Sequence, residues 1–104
     1  PALFMQIIIQ FNTDLSEEAD GQQLRRIVQR RLFAFKSKIK LTQINLETPP
    51  KPLVSARFQA SCLIVTYSDH ELGPFLAFGD AAERVVLDSL EATSNELGWQ
   101  SFNT

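Results

Sequence analysis

Hydrophobic and polar residues alternate along three stretches of the chain, and this alternation predicts β-strands. The first stretch, residues 3–11, places on one face Leu3, Met5, Ile7, Ile9 and Phe11. Residues 39–48 alternate with β-branched residues and stop at Pro49, and residues 53–67 form the longest stretch. Successive side chains of a strand point to opposite faces, so a period of two indicates strands that are buried on one side.

Two other stretches repeat with the period of an α-helix, about 100° per residue. Ser16 or Asp20 can cap the first helix, and Gly21 favours the later start. The apolar stripe of this helix consists of Leu24, Ile27, Val28, Leu32, Ala34 and Phe35. Arg31 falls within this stripe, where it must reach water, pair with an acid or mark a partly exposed region. The second helix starts with Asp80 as its cap and ends at Gly98. Its stripe consists of Ala82, Val85, Val86, Leu90, Thr93 and Leu97.

The remaining segments complete a prediction of the fold. Residues 68–79 contain Gly73-Pro74 and predict a loop whose apolar residues fold back over the core, and residues 99–102 predict a short last strand. The order β-α-β-β-α, with or without a final β, predicts an α+β protein built as a two-layer ferredoxin-like sandwich. We expect an antiparallel or mixed sheet with both helices on one face, in a single domain over residues 1–104.

The charges are strongly segregated along the chain. Nine of the ten Lys and Arg residues lie between Arg25 and Arg57, so residues 21–57 carry a net charge of +8. Residues 1–20 carry −4 and residues 58–104 carry −6, which leaves a total of −2. The basic segment is therefore where a negatively charged partner is expected to dock.

The outer face of the first predicted helix concentrates this charge. On the helical wheel Arg26, Arg30 and Phe33 fall at about 180° to 240° from Leu24, opposite the apolar stripe. Lys36 and Lys38 follow the end of the helix. Such a face is usually a solvated helix surface, and it can also bind a partner.

We therefore expect a non-enzymatic binding or assembly module that uses Arg26, Arg30, Phe33, Lys36 and Lys38. The acidic partner is a protein surface, the acidic C-terminal part of a second copy in a homo-oligomer, or a nucleic-acid backbone. An RNA-recognition module shares the predicted order of elements. However, residues 55–62 lack the glycine and the paired outward aromatics with which such modules stack bases.

Motifs for several common chemistries are missing from the sequence. One Cys and one His do not provide the ligands of a structural zinc site, and no phosphate-binding glycine loop or serine-hydrolase motif is present. We expect no metal and no cofactor. Cys62 is expected to be a core residue and His70 a solvated loop residue. A lone cysteine and the lack of a long apolar run predict a cytoplasmic protein without a membrane span.

The N-terminal half resembles the tautomerase superfamily in layout. Pro1 leads directly into a strand, a helix is opened by Ser16-Glu17-Glu18, and a strand runs from Ile44 into Pro49. The resemblance implies that Pro1 is a general base whose amine moves a proton between carbon and oxygen of a keto-enol substrate. An α-amino group titrates near pH 8, at about 7.7–8.0, and burial lowers its pKa further. A tautomerase-like enzyme is thus the alternative function.

Overall fold

The computed structural model describes residues 5–11, 21–50 and 55–96. These residues confirm the α+β class, with a four-stranded mixed sheet and two helices. Along the chain the elements are β1 (Gln6–Phe11), α1 (Gly21–Leu32), a 3-10 turn (Phe33–Phe35), β2 (Ile39–Glu47), β3 (Phe58–Thr66), β4 (Glu71–Gly79) and α2 (Ala82–Glu96). The predicted strand at residues 99–102 lies outside the described residues.

The four described strands lie side by side in the order β1-β2-β3-β4. β1 and β2 are parallel, with α1 in the connection between them, whereas β2-β3 and β3-β4 are antiparallel pairs. The predicted mixed sheet is therefore confirmed. The ferredoxin-like arrangement is not confirmed, because the described chain runs β-α-β-β-β-α and each strand neighbours the next one in sequence.

The prediction of a loop over residues 68–79 is wrong, because residues 71–79 form strand β4. A proline is tolerated at the edge of a sheet, where its missing N–H does not interrupt a ladder on both sides. The Gly73-Pro74 peptide is cis, and Gly73, with a φ of 105°, lies where the register with β3 shifts between Cys62 and Ile64. The connection between β3 and β4 is therefore a tight turn, in which the Asp69 amide donates to the Thr66 carbonyl at 2.9 Å.

Both helices cover the same face of the sheet. α1 contacts β1 and α2, and α2 packs on β3 and β4. The core between the layers is formed by Leu24, Val28, Leu32, Ile44, Leu46, Ala60, Cys62, Ile64, Val85, Val86 and Leu90, among others. The predicted stripe of α1 is correct at its buried positions but not at Ala34, which is exposed, and Arg31 is exposed as well. Leu97 of the α2 stripe lies outside the described residues.

The opposite face of the sheet is covered by neither α1 nor α2. Strand alternation and register assign to it the residues that flank the core positions. We call this surface the open face; it consists of Gln6, Ile8, Gln10, Leu41, Gln43, Asn45, Glu47, Gln59, Ser61, Leu63, Val65, Glu71, Leu76 and Phe78. No helix among the described residues is long and apolar enough to cross a membrane.

Candidate anion-binding face of helix α1

Helix α1 directs its apolar side chains to the core and its arginines to water. Leu24, Val28 and Leu32 are buried, whereas Arg26 and Arg30 are exposed on the other side of the helix. The 3-10 turn continues this division, because Phe35 is 7% exposed and Phe33 is 59% exposed. Two guanidinium groups and an aromatic ring thus share the outer surface that the helical periodicity predicts for them.

These side chains line a shallow groove with a volume of about 390 Å³. Among the described residues, its lining consists of Arg26, Gln29, Arg30 and Phe33. Residues three and four apart are neighbours on a helix surface, so the four side chains form one continuous strip. We call the four residues together with Lys36 the basic face.

A cation–π contact orders the C-terminal end of the basic face. The Lys36 Nζ lies 4.3 Å from the centroid of the Phe33 ring. At an exposed site such a contact contributes about 0.5–1 kcal/mol, which is enough to bias the lysine toward the ring. The aromatic side chain is therefore flanked by positive charge along the helix and on its own ring face.

The charge of the basic face is not neutralised within the described part of the chain. Residues 21–46 contain no acid, and no described carboxylate forms an ion pair with Arg26 or Arg30. Like charges at i and i+4 destabilise a helix by about 0.2–0.5 kcal/mol. The helix tolerates this cost, and its two guanidinium groups remain available to an acidic ligand.

The neighbouring basic residues have other contacts. Arg25 Nη1 donates to the Ile7 carbonyl at 2.7 Å, which ties α1 to β1. Lys40 Nζ lies 3.4 Å from Asp69 Oδ1 in an exposed ion pair. Such a pair contributes little to stability, about 0–1 kcal/mol.

Lys38 lies beyond the groove that the predicted site residues form. Its backbone amide donates to the Phe35 carbonyl at 2.9 Å, and its carbonyl accepts from the Tyr67 amide at 3.1 Å. Lys38 therefore sits where the chain enters β2, next to the β3-β4 turn. Of the five predicted binding residues, Arg26, Arg30, Phe33 and Lys36 come together, and Lys38 is not part of the described groove lining.

Cys62 and His70 lie where the sequence predicts them, one in the core and the other in an exposed turn. Cys62 is fully buried, and burial raises the pKa of its thiol to about 11, although a hydrogen bond from Thr93 lowers it somewhat. The thiolate is the reactive form, so this thiol is a poor nucleophile at neutral pH. His70 is exposed in the β3-β4 turn, with Nδ1 3.4 Å from Ser68 Oγ. Pro1 lies outside the described residues, and the tautomerase alternative gains no support from them.

The predicted site did not include Gln29, which lines the groove, and the sequence did not predict that Arg25 bonds to β1. Gln29 is three residues after Arg26 and four before Phe33, so the helical wheel places it on the same face as these two residues. The contact of Arg25 with β1 depends on how α1 sits on the sheet, which the sequence does not reveal. Comparison of the chain with protein-family models and with curated proteins finds no match.

Proposed function

We propose that this chain is a non-enzymatic binding module whose basic face engages an acidic surface of another protein. The observation that carries the proposal is the exposed Phe33 ring in a groove with two arginines that form no ion pair with any described carboxylate. Aromatic and arginine side chains are enriched at interface positions that dominate binding energy, especially where they pack together. The groove offers an acidic partner both a charge contact and an apolar contact.

The overall charge favours a protein partner over a nucleic acid. The chain carries a net charge of −2 and has a pI of about 5.3. Domains that bind nucleic acid are usually basic as a whole, with a pI above about 9. A long phosphate backbone would extend beyond the basic segment toward acidic parts of the molecule, whereas a compact acidic protein surface needs to contact only the basic face.

The chain's own second helix is a weaker complement to the basic face. Among the described side chains, α2 carries the charges of Glu83, Arg84, Asp88 and Glu91, which together amount to −2. Arg84 Nε already lies 3.4 Å from Asp88 Oδ1. Binding of α1 to α2 of another copy would thus place the concentrated positive charge against a surface that contains an arginine and an acid already paired with it.

The proposal predicts that neutralising the basic face weakens binding to a polyacidic ligand. We expect the double variant Arg26→Gln/Arg30→Gln to bind poly-L-glutamate about tenfold more weakly than the wild type, since two exposed charge pairs of up to about 1 kcal/mol each are lost. Fluorescence anisotropy of labelled poly-L-glutamate measures this change. The single variant Arg84→Gln removes an exposed arginine from α2 and should bind like the wild type.

Three results would contradict this assignment. Wild-type protein that does not bind poly-L-glutamate at low salt has no acid-binding face. Equal weakening by Arg84→Gln would mean that only the net charge matters. Tighter binding to single-stranded oligo(dT) of equal charge, with a steep loss between about 50 and 200 mM salt, would identify a nucleic acid as the partner instead.

A further inference from the structure

Phe33 is the most exposed of the large hydrophobic side chains in the described part of the chain. Folding does not account for a phenylalanine at this position, because Phe35, two residues later, holds the 3-10 turn to the core. A single exposed apolar residue is ordinary on a protein surface. Phe33 differs because its ring lines a groove beside two arginines, where a ligand can cover it.

Positive charge lies on both sides of this ring along the basic face. Along the helix axis Arg30 lies about 4.5 Å and Arg26 about 10 Å before Phe33, at a rise of about 1.5 Å per residue. Lys36 follows Phe33 in sequence, and its Nζ lies 4.3 Å from the ring centroid. The order along the basic face is thus two cations, an aromatic ring and a third cation.

A ligand that consists only of acids does not match this order. The face of an aromatic ring carries partial negative charge, so a carboxylate opposite Phe33 gains no attraction from the ring. Such a carboxylate would also draw the Lys36 ammonium away from the ring and end the cation–π contact. An aromatic side chain in the same place packs against the Phe33 ring edge-to-face or offset, and it does not compete for Lys36.

We propose that the docking segment of the acidic partner carries an aromatic side chain between its acids, and that Phe33 binds this side chain. This inference rests on the proposed function, because it specifies which acidic segments the basic face binds. Arg26 and Arg30 attract the acids through charge complementarity. Phe33 distinguishes an acidic segment that contains an aromatic residue from one that does not.

Two labelled acidic peptides test this inference by fluorescence anisotropy. In the first a phenylalanine follows each pair of glutamates, and in the second a serine replaces every phenylalanine, so both carry the same charge. We expect the wild type to bind the phenylalanine peptide at least about threefold more tightly, at the lower end of what an aromatic pair contributes. Phe33→Ser should remove this preference and still bind both peptides, because Arg26 and Arg30 remain.

Phe78→Ser is the matched control. It removes an exposed phenylalanine from β4, on the open face and thus on the other side of the sheet from α1, and it should keep the preference of the wild type. Phe33→Tyr retains the ring and should keep the preference as well. Circular dichroism checks that each variant is folded, and the exposure of Phe33 means that its substitution leaves the core intact.

Equal affinity of the wild type for the two peptides overturns this inference, while acid binding by the two arginines still stands. A preference that Phe33→Ser retains overturns it as well, because the phenylalanines of the peptide then bind elsewhere. If the preference depends on Phe78 rather than on Phe33, those phenylalanines bind to the open face and the inference is wrong. Wild-type protein that binds neither peptide at low salt overturns the inference together with the proposed function.

Discussion

Thr42 and Thr93 are both fully buried, but their hydroxyl groups have different surroundings. Thr93 Oγ1 donates to the Ser89 carbonyl at 2.8 Å, whereas Thr42 Oγ1 has no hydrogen-bond partner in the described part of the chain. We predict that Thr42→Val raises the free energy of unfolding by about 1 kcal/mol, because it removes an unpaired buried hydroxyl and keeps the side-chain shape. Urea unfolding measures the change.

Thr93→Val is the matched control and should lower the free energy of unfolding by about 1 kcal/mol, because it removes a satisfied hydrogen bond. If Thr42→Val also lowers the free energy of unfolding, the Thr42 hydroxyl has a hydrogen-bond partner. The sequence predicted that Thr93 lies on the buried stripe of α2, since helical periodicity determines the face. It did not predict which hydroxyl is bonded, because the Thr93 acceptors are set by helix geometry and by the approach of β3.

Strand β4 depends on a glycine at the point where it kinks. Gly73 has a φ of 105°, and a Cβ there would lie 2.5 Å from the Cys62 carbonyl oxygen. We predict that Gly73→Ala lowers the free energy of unfolding by more than about 1 kcal/mol, since the costs of backbone strain and of the clash add.

For comparison, a Cβ at Gly21 would meet the Phe11 ring edge at 3.3 Å. Gly21→Ala should change stability by less than about 1 kcal/mol. Thermal unfolding of the two variants checks this order, and equal effects would refute it.

The same glycine explains why the sequence predicted the other elements and not this one. The helical or strand periodicity of apolar residues continues for at least six residues in each of the other elements, α1, α2, β1, β2 and β3. A single residue that departs from the pattern does not obscure a repeat of this length. In β4 the Gly73-Pro74 pair interrupts the pattern, and residues 75–78 form a continuous apolar run without alternation. Pairing with β3 makes this segment a strand, and pairing is a tertiary property that overrides the local turn signal.

At the scale of the whole molecule, the sequence predicted the class, the common face of the helices and the concentration of basic charge on α1. Strand order and the composition of the open face emerged only with the register of the sheet. Each open-face residue belongs to a strand whose other side is core, and its neighbours come from distant parts of the chain. The charge count of a linear segment therefore located the basic face but not the residues that share the open face.

Cys62 lies between the two layers, because it is on central strand β3 and its thiol is close to Thr93 of α2. Its titration therefore tests whether the packing between the layers excludes water. Burial raises the pKa of its thiol from 9.0 to about 11. Above pH 9 the unfolded chain loses the thiol proton while the folded chain keeps it. We therefore predict that the free energy of unfolding falls between about pH 9 and 11, by up to about 1.4 kcal/mol per pH unit, with no contribution from this group near pH 7. Urea unfolding of the wild type and of Cys62→Ala isolates the thiol, because the other titrating groups are common to both. Identical slopes in the two proteins would mean that the core admits water to this thiol.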